Sequence, residues 1–200
     1  MKSIYLYGAS GHGKVVKEIV EANGDSVASF IDDDPTKNEL SGLPVLHSSA
    51  GCTPVVVTIG VTDVRKKIVD SLDCEFVTCI HPSAIISPSA KIGVGTVVMA
   101  GAVINADAVI GDHCIVNTGA TIDHDVVLKD YVHVAPGVNV SGGVTVGEGT
   151  WLGVGSCICQ CINIGSHSMI GAGSVVVKDI PDGVTAFGNP CKVQHKNGHE

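Results

Sequence analysis

Between Ile80 and Val176 the chain carries an aliphatic residue at every sixth position, without exception. Smaller side chains recur two positions before many of them, as at Ala84, Ala102 and Cys114. Because side chains of an extended chain alternate between two faces, spacings of two and six place both series on one side. The aliphatic positions are Ile80, Ile86, Ile92, Val98, Ile104, Ile110, Val116, Ile122, Leu128, Val134, Val140, Val146, Leu152, Ile158, Ile164, Ile170 and Val176.

This period predicts a parallel β-solenoid whose repeating unit is a short strand and a corner. One unit cannot bury its own aliphatic side chain, whereas coils stacked roughly 4.8 Å apart bury all of them in one column. The alternative is a Val-rich β-sandwich, but its turns recur roughly every 8 to 12 residues and would drift out of this register. If three units complete a coil, residues 18 apart stack. We then expect an exposed apolar wall, serving as a subunit interface or a cofactor groove, formed by Val97, Ile115, His133, Trp151 and Met169.

Composition argues against several classes of function. A formal net charge of −8 and an aromatic content of 4% do not suit a nucleic-acid-binding surface, which needs basic groups and stacking rings. We expect a cytoplasmic protein, because no apolar run approaches the roughly 18 residues that span a membrane and no signal-peptide pattern is present. The eight cysteines form no Cys-x-x-Cys pair, so we expect no disulfides. We also expect no metal site, since Cys157, Cys159 and Cys161 lack a fourth ligand.

Residues 1–79 have the pattern of a small α/β nucleotide-binding module. Its length is about half that of a full doubly wound Rossmann domain, so we expect a mononucleotide site. The predicted β-α-β-β-α-β order comprises strands at 3–7, 27–31, 55–59 and 76–78, a helix that follows the loop at 8–14, and a second helix at 62–72.

The loop Gly8-Ala9-Ser10-Gly11-His12-Gly13-Lys14 joins a strand to a helix, where backbone N–H groups can bind phosphate. About twenty residues later Asp32 and Asp33 close the next strand, where a carboxylate can accept from a ribose hydroxyl. The loop lacks the G-x-G-x-x-G fingerprint, and glycines that merely permit a tight turn beside a solvated Asp turn are the alternative. We predict a nucleotide site formed by Gly11, His12, Gly13, Asp32, Asp33 and Gly60.

Titratable residues are sparse in the repeat, so one cluster stands out, formed by Asn117, Asp123, His124, Asp125 and His133. His124 follows the inward Ile122 by two positions and therefore lies at a corner, where Asp125 can orient its imidazole. A histidine in this position is a candidate general base. Polar residues that simply collect at corners are the alternative. Gly142 stacks on His124 by the 18-residue spacing, and its backbone N–H is a candidate oxyanion donor.

Several motifs, some within the repeat and some outside it, indicate the family. They are G-A-S-G-H-G, F-I-D-D-D-P, I-H-P-S-A, N-T-G-A-T-I-D-H-D, K-D-I-P and G-N-P-C-K-V. Over essentially its whole length the chain resembles the left-handed β-helix sugar O/N-acyltransferases, which include UDP-4-amino-sugar N-acetyltransferases of bacillosamine synthesis and sialic acid O-acetyltransferases. The resemblance implies a homotrimer that uses acetyl-CoA.

The resemblance also implies roles for single residues. His124 corresponds to the catalytic base, Asp125 to its carboxylate neighbour, which is Glu in the bacillosamine enzyme, and Asn117 to an active-site asparagine. Gly11, His12, Gly13 and Asp32 match positions that hold the nucleotide sugar. We assign acetyl-CoA contacts to His133, Gly142 and Trp151. Pro190-Cys191-Lys192 stands where the family has P-A-K.

We therefore expect an acetyl-CoA-dependent N-acetyltransferase that acts directly, without a metal, on the 4-amino group of a nucleotide-activated amino sugar. The alternatives are O-acetylation of sialic acid or another sugar hydroxyl, and a nucleotide-sugar-binding solenoid without catalysis. The expected organisation is a nucleotide-sugar-binding domain at 1–79, a left-handed β-helix acyltransferase domain at 80–180 and an irregular tail at 181–200. No residue between Asp32 and Ser49 selects UDP, GDP or dTDP, and nothing indicates the downstream glycan pathway.

Overall fold

A computed structural model describes residues 2–196 of the 200-residue chain. An α/β module comes first, and its elements are β1 (Ser3–Tyr7), α1 (Gly11–Ala22), β2 (Ser26–Ile31), β3 (Glu39–Leu40), β4 (Leu43–Leu46), β5 (Val55–Val57) and α2 (Thr62–Ser71). Its sheet has the order β3-β4-β2-β1-β5 and is parallel except for the β3–β4 pair. In the described part of the chain, no helix has the length and apolar character needed to cross a membrane.

The module differs from the prediction at its edges. α1 forms as expected, because Val16, Ile19 and Val20 recur at helical spacing and are buried on the sheet. β3 and β4 were not predicted, since a proline inside a strand pattern counts against it and Pro44 lies within β4. The short strand predicted at 76–78 is reduced to a single bridge between Phe76 and Val55.

A run of two-residue strands follows the module, and each strand is separated from the next by a corner. They are β6 (Cys79–Ile80), β7 (Ile85–Ile86), β8 (Lys91–Ile92), β9 (Val97–Val98), β10 (Val103–Ile104), β11 (Val109–Ile110), β12 (Ile115–Val116), β13 (Thr121–Ile122), β14 (Val127–Leu128), β15 (His133–Val134), β16 (Asn139–Val140), β17 (Thr145–Val146), β18 (Trp151–Leu152), β19 (Cys157–Ile158), β20 (Asn163–Ile164), β21 (Met169–Ile170) and β22 (Val175–Val176).

These strands form a three-sided parallel β-helix. Face 1 contains β6, β9, β12, β15, β18 and β21; face 2 contains β7, β10, β13, β16, β19 and β22; face 3 contains β8, β11, β14, β17 and β20. From β6 to β19, each strand pairs in parallel with the strand 18 residues on, as where His133 pairs with Trp151. The periodic aliphatic side chains from Val98 to Val176 are at most 2% exposed. The predicted class, an α/β module followed by a β-helix, is confirmed.

The C-terminal segment is more regular than predicted. The expectation of an irregular tail from residue 181 is wrong, because β23 (Val184–Gly188) pairs in parallel with β21 and β24 (Cys191–Lys196) returns antiparallel to β23. Val184 and Ala186 are buried on alternate positions of β23 and continue the core. His195, in the tail expected to be irregular, lies in β24, and residues 197–200 of that tail lie outside the described residues.

The α/β module packs on face 1 of the solenoid. Val97 and Ile115 share one buried cluster with apolar residues of β1, α1 and β2. The expected exposed wall is therefore wrong for Val97, Ile115 and His133, which are 1%, 1% and 5% exposed because the module covers them. Trp151 remains half-buried and Met169 remains exposed.

Candidate active site

His124 lies at the corner between β13 and β14 and forms a close pair with the next residue. Its Nδ1 is 2.8 Å from Oδ2 of Asp125. A carboxylate only accepts, so Nδ1 carries the proton and the neutral ring offers Nε2 as the base. Asp123 supports the corner from the other side, since its Oδ1 accepts from the backbone N–H of His124 at 2.8 Å and from Asn105 at 3.0 Å. The His124 side chain is 61% exposed and can meet a ligand.

The carboxylates of Asp123 and Asp125 also shift the pKa of the His124 imidazole. The hydrogen bond to Asp125 and then the charge of Asp123 raise the pKa of His124 above its ordinary value, because both favour the charged ring. A base must be unprotonated to act. Activity that depends on His124 should therefore grow as pH rises through this raised pKa.

Gly142 lies directly beneath the imidazole, as the 18-residue spacing predicts. A Cβ at position 142 would lie 2.6 Å from Cε1 and 2.7 Å from Nε2 of His124. A groove of about 520 Å³ runs along this edge. Its lining residues are Asp123, His124, Asp125, Ser141, Gly142, Gly143, Gln160 and Cys161. The groove therefore gives a ligand access to the imidazole and to the backbone at Gly142.

Asn117 lies at a different corner, after β12 and between faces 1 and 2. Its Oδ1 accepts from the backbone N–H of Thr118 at 2.9 Å. It is not among the residues that line the groove at His124. One chain therefore does not bring Asn117 together with His124 and Asp125, and its active-site role stays a prediction.

The glycine-rich loop of the module is tightly closed. A Cβ at Gly13 would lie 2.4 Å from the carbonyl oxygen of Gly8, whose φ is +123°. Ser10 precedes α1 but gives no side-chain cap, so the helix begins with the type of free N-terminus that binds phosphate. Nothing lies within 4 Å of a Cβ built at Gly11, which leaves open space at this helix end.

Asp32 is already engaged by protein donors. Its Oδ2 accepts from Ala9 N and Lys37 Nζ, each at 2.8 Å, and its Oδ1 accepts from Asp34 N at 3.1 Å. Burial acts to raise its pKa, but the bonds from Lys37 and the two backbone N–H groups outweigh it, so the pKa is lowered. A ribose hydroxyl would have to share these oxygens.

Asp33 is engaged as well, by a buried phenol of the first strand. Its Oδ1 accepts from the Tyr7 hydroxyl at 2.8 Å. Burial, then Asp33, raises the pKa of Tyr7 to about 12. Asp32 and Asp33 therefore brace the carboxyl ends of β1 and β2 around the glycine-rich loop.

Two imidazoles, a half-buried one at His12 and a buried one at His133, lie where the module meets face 1. His133 Nδ1 is 3.0 Å from the carbonyl oxygen of Gly60, and its ring stacks on Trp151 with centroids 4.1 Å apart. Burial, then the charge that His133 would carry if protonated, and then the Arg65 guanidinium lower the pKa of His12 to about 4. Burial and then Arg65, against a hydrogen bond to Gly60 that raises it, lower the pKa of His133 to about 4. Both rings are therefore neutral at physiological pH.

Sequence reasoning missed Arg65 and Lys37 at this site. Arg65 is 1% exposed and lies inside α2, on the same stripe as Ile68 and Val69. A charged residue on the apolar stripe of a short amphipathic helix is the signal that points to it. Lys37 carried no such signal, because its contact with Asp32 depends on the turn between β2 and β3.

The structure places the predicted base and the residues at the junction of the module and face 1 on different sides of the chain. His124 lies on the edge shared by faces 2 and 3, whereas His133 lies on face 1, opposite that edge in a three-sided prism, and contacts Gly60 of the module. Within residues 2–196 no cluster of three or more His, Cys, Asp or Glu side chains could hold a metal. Cys157, Cys159 and Cys161 are exposed free thiols.

A three-sided hexapeptide solenoid with an α/β module and an imidazole–carboxylate pair at one edge defines the class of hexapeptide-repeat acyltransferases. The comparisons agree with this class. Residues 3–72 match the family described as the PglD N-terminal domain. The chain is 42% identical over 113 residues to UDP-N-acetylbacillosamine N-acetyltransferase of Bacillus subtilis, an alignment that spans 50% of this chain and about half, 52%, of that protein.

Solved structures match along nearly the whole chain. A variant of perosamine N-acetyltransferase from Caulobacter crescentus, in complex with CoA and GDP-perosamine, is 40% identical, has a TM-score of 0.93 and covers 97% of each chain. The acetyltransferase domain of PglB from Neisseria gonorrhoeae, in complex with acetyl-CoA, is 41% identical with a TM-score of 0.88, covering 96% of this chain and 98% of that one. The chain belongs to the hexapeptide-repeat family of acetyl-CoA-dependent sugar N-acetyltransferases.

Proposed function

We propose that this protein transfers the acetyl group of acetyl-CoA to the 4-amino group of a nucleotide-activated amino sugar, with His124 as the general base. One observation carries the proposal. An exposed imidazole, oriented by Asp125 at 2.8 Å, lies over Gly142 in a groove at the solenoid edge. A base held in one tautomer next to open space is what proton removal from an attacking amine requires.

In the proposed mechanism, the sugar nitrogen attacks the thioester carbonyl while Nε2 of His124 accepts a proton from it. Asp125 accepts from Nδ1–H and stabilises the imidazolium that forms. The backbone N–H of Gly142 donates to the developing oxyanion. The tetrahedral intermediate collapses with loss of the CoA thiolate, which takes a proton from the imidazolium. No covalent acyl-enzyme is formed.

The substrate class is proposed from the relatives. The Caulobacter structure holds CoA and GDP-perosamine, and the Bacillus protein is named for UDP-N-acetylbacillosamine. These names share a nucleotide sugar and an N-acetyl transfer but differ in the nucleotide. We therefore assign Gly11, His12, Gly13, Asp32, Asp33 and Gly60 to the binding of a nucleotide-activated amino sugar, and we do not assign its nucleobase.

We also propose a cyclic homotrimer in which each active centre is shared between two copies. The base at His124 and the nucleotide loop lie on opposite sides of one chain, so a neighbouring copy must supply one of them. A head-to-tail contact repeated around a three-fold axis does this for every copy. Asn117, His133 and Trp151 would then reach the shared site, with acetyl-CoA lying along the solenoid between copies.

We place the reaction in the cytoplasm. The free thiols of all the cysteines suit a reducing compartment. The proposed domains are 1–79 for the nucleotide sugar and 80–180 for acetyl transfer, and the β23–β24 hairpin closes the solenoid.

Release of free thiol from acetyl-CoA tests the function. UDP-, GDP- and dTDP-linked 4-amino sugars are supplied in parallel with free sialic acid, and the mass of each product is measured by mass spectrometry. At least one nucleotide 4-amino sugar should be N-acetylated, and the 4-hydroxy analogue should be inert. Turnover of free sialic acid alone would identify an O-acetyltransferase. Absence of turnover with every acceptor would instead favour a nucleotide-sugar-binding solenoid without catalysis.

A further inference from the structure

Arg65 is a buried cation that makes four hydrogen bonds to described residues, and all four go to backbone carbonyls. Its Nε donates to His113 O at 2.9 Å and its Nη2 donates to Tyr131 O at 2.7 Å. Its Nη1 donates to Ile59 O and Gly60 O, each at 2.9 Å. Burial lowers the pKa of Arg65 to about 10, so the guanidinium remains charged at neutral pH.

These carbonyls belong to two different parts of the fold. His113 and Tyr131 are 18 residues apart and lie on successive coils of the solenoid. Ile59 and Gly60 lie in the loop between β5 and α2, at the carboxyl end of the sheet, where open α/β sheets bind their ligands. The planar guanidinium, with five donors in a fixed fork, therefore sets the position of the ligand-binding loop against face 1.

The Gly60 carbonyl links this fork to a histidine. It accepts from Arg65 Nη1 at 2.9 Å and from His133 Nδ1 at 3.0 Å. A carbonyl only accepts, so His133 is the Nδ1–H tautomer and its Nε2 carries a lone pair. Among the described residues no hydrogen bond is made by this Nε2, and Trp151 covers one face of the ring.

We infer that Arg65 is a positioning residue of the proposed reaction, which fixes the Gly60 carbonyl and thereby presents His133 Nε2 as an acceptor to a hydroxyl or amide N–H of a bound substrate. The inference rests on the proposed function for the identity of the two substrates. The positive charge also contributes to the low pKa of His12 and of His133, which keeps the acceptor unprotonated.

A double-mutant cycle tests whether Arg65 acts through His133. Arg65→Met is expected to raise the KM of one substrate about tenfold, because a charge-assisted bond that orders the site is lost. In a His133→Ala background the same change should raise that KM less than about twofold. The substrate whose KM increases, either the nucleotide sugar or acetyl-CoA, is the one that donates a hydrogen bond to His133. Equal effects in both backgrounds would show a merely structural arginine.

Two further variants keep the test decisive. Lys66→Met is the matched control, because Lys66 lies on the same helix and bonds the solenoid at Glu148 without touching Gly60; it should leave both KM values unchanged. If Arg65→Met does not fold, Arg65→Lys keeps the charge without the fork. It should give a smaller KM increase with the same dependence on His133, and wild-type KM values in Arg65→Lys would overturn the inference.

The tautomer of His133 can be read without turnover. In ¹⁵N-histidine-labelled protein, the signals that vanish in His133→Ala should show an Nδ1–H imidazole, and Arg65→Lys should shift or mix that tautomer. A retained, unperturbed Nδ1–H pattern in the Arg65 variants refutes the positioning role. This result stands whether or not acetyl transfer is detected, so it separates failure of this inference from failure of the proposed function.

Discussion

Replacing Gly142 by alanine would place a methyl group 2.6 Å from Cε1 and 2.7 Å from Nε2 of His124. Ordinary van der Waals contact begins near 3.4 Å, so the ring must retreat by about 1 Å, and a displacement of that size costs on the order of 100-fold in rate. The backbone at Gly142 is not in the left-handed region and the ring that must yield is exposed, so stability should change little. We expect kcat for thiol release to fall about 100-fold at an unchanged melting temperature.

Gly155→Ala is the matched control for this prediction. Gly155 also lies at a solenoid corner, with φ of +65°, but nothing lies within 4 Å of its added Cβ. This variant should lose about 1 kcal/mol of stability from the left-handed backbone and keep its kcat. The reasoning is refuted if Gly142→Ala turns over at nearly the wild-type rate, or if both variants lose activity only in proportion to their loss of folded protein.

Four other predictions concern the base, its partner and the packing. His124→Ala should lower kcat by roughly 10² to 10⁴ while KM values change little. Since His124 must be neutral to act, kcat/KM should rise with pH until the pH exceeds the raised pKa of His124. Asp125→Asn should move this rise in kcat/KM to lower pH and reduce the maximal kcat/KM. A pH–rate profile of Asp125→Asn whose rise stays at the wild-type pH would contradict the pairing of His124 with Asp125. Ile122→Ala, at a position 0% exposed, should cost about 2 to 5 kcal/mol in chemical denaturation. Gly13→Ala should cost about 1 to 3 kcal/mol and weaken nucleotide binding, because its Cβ would meet the rigid carbonyl of Gly8.

The solenoid could be predicted from sequence because its period is local. A column of aliphatic residues six apart, with Ile122 as one member, specifies strand, corner and stacking without any knowledge of distant contacts. The same arithmetic placed Gly142 beneath His124 and put His124 at an exposed corner, and the structure confirms both positions. The hairpin of β23 and β24 was not predicted although Val184 and Ala186 alternate in the sequence, because Pro181 and Pro190 on either side of β23 indicate breaks in regular structure.

Contacts between the module and face 1 could not be predicted in this way. His133 reads as an outward residue of the repeat, and only the docked module shows that it is buried against Gly60. The four bonds of Arg65 likewise join carbonyls that are up to 66 residues away in sequence. Sequence periodicity describes one structural element at a time. It therefore cannot predict a site that forms where two elements pack together.

The central claim is that His124 of one copy serves a nucleotide loop of another, and mixed oligomers test it most directly. His124→Ala and Gly11→Trp, which fills the open space at the start of α1, should each be inactive alone. Coexpressed in equal amounts in a cyclic trimer, they should regain about a quarter of the wild-type thiol release, since one contact in four then pairs an intact base with an intact loop. Mixed oligomers that stay inactive would contradict the account.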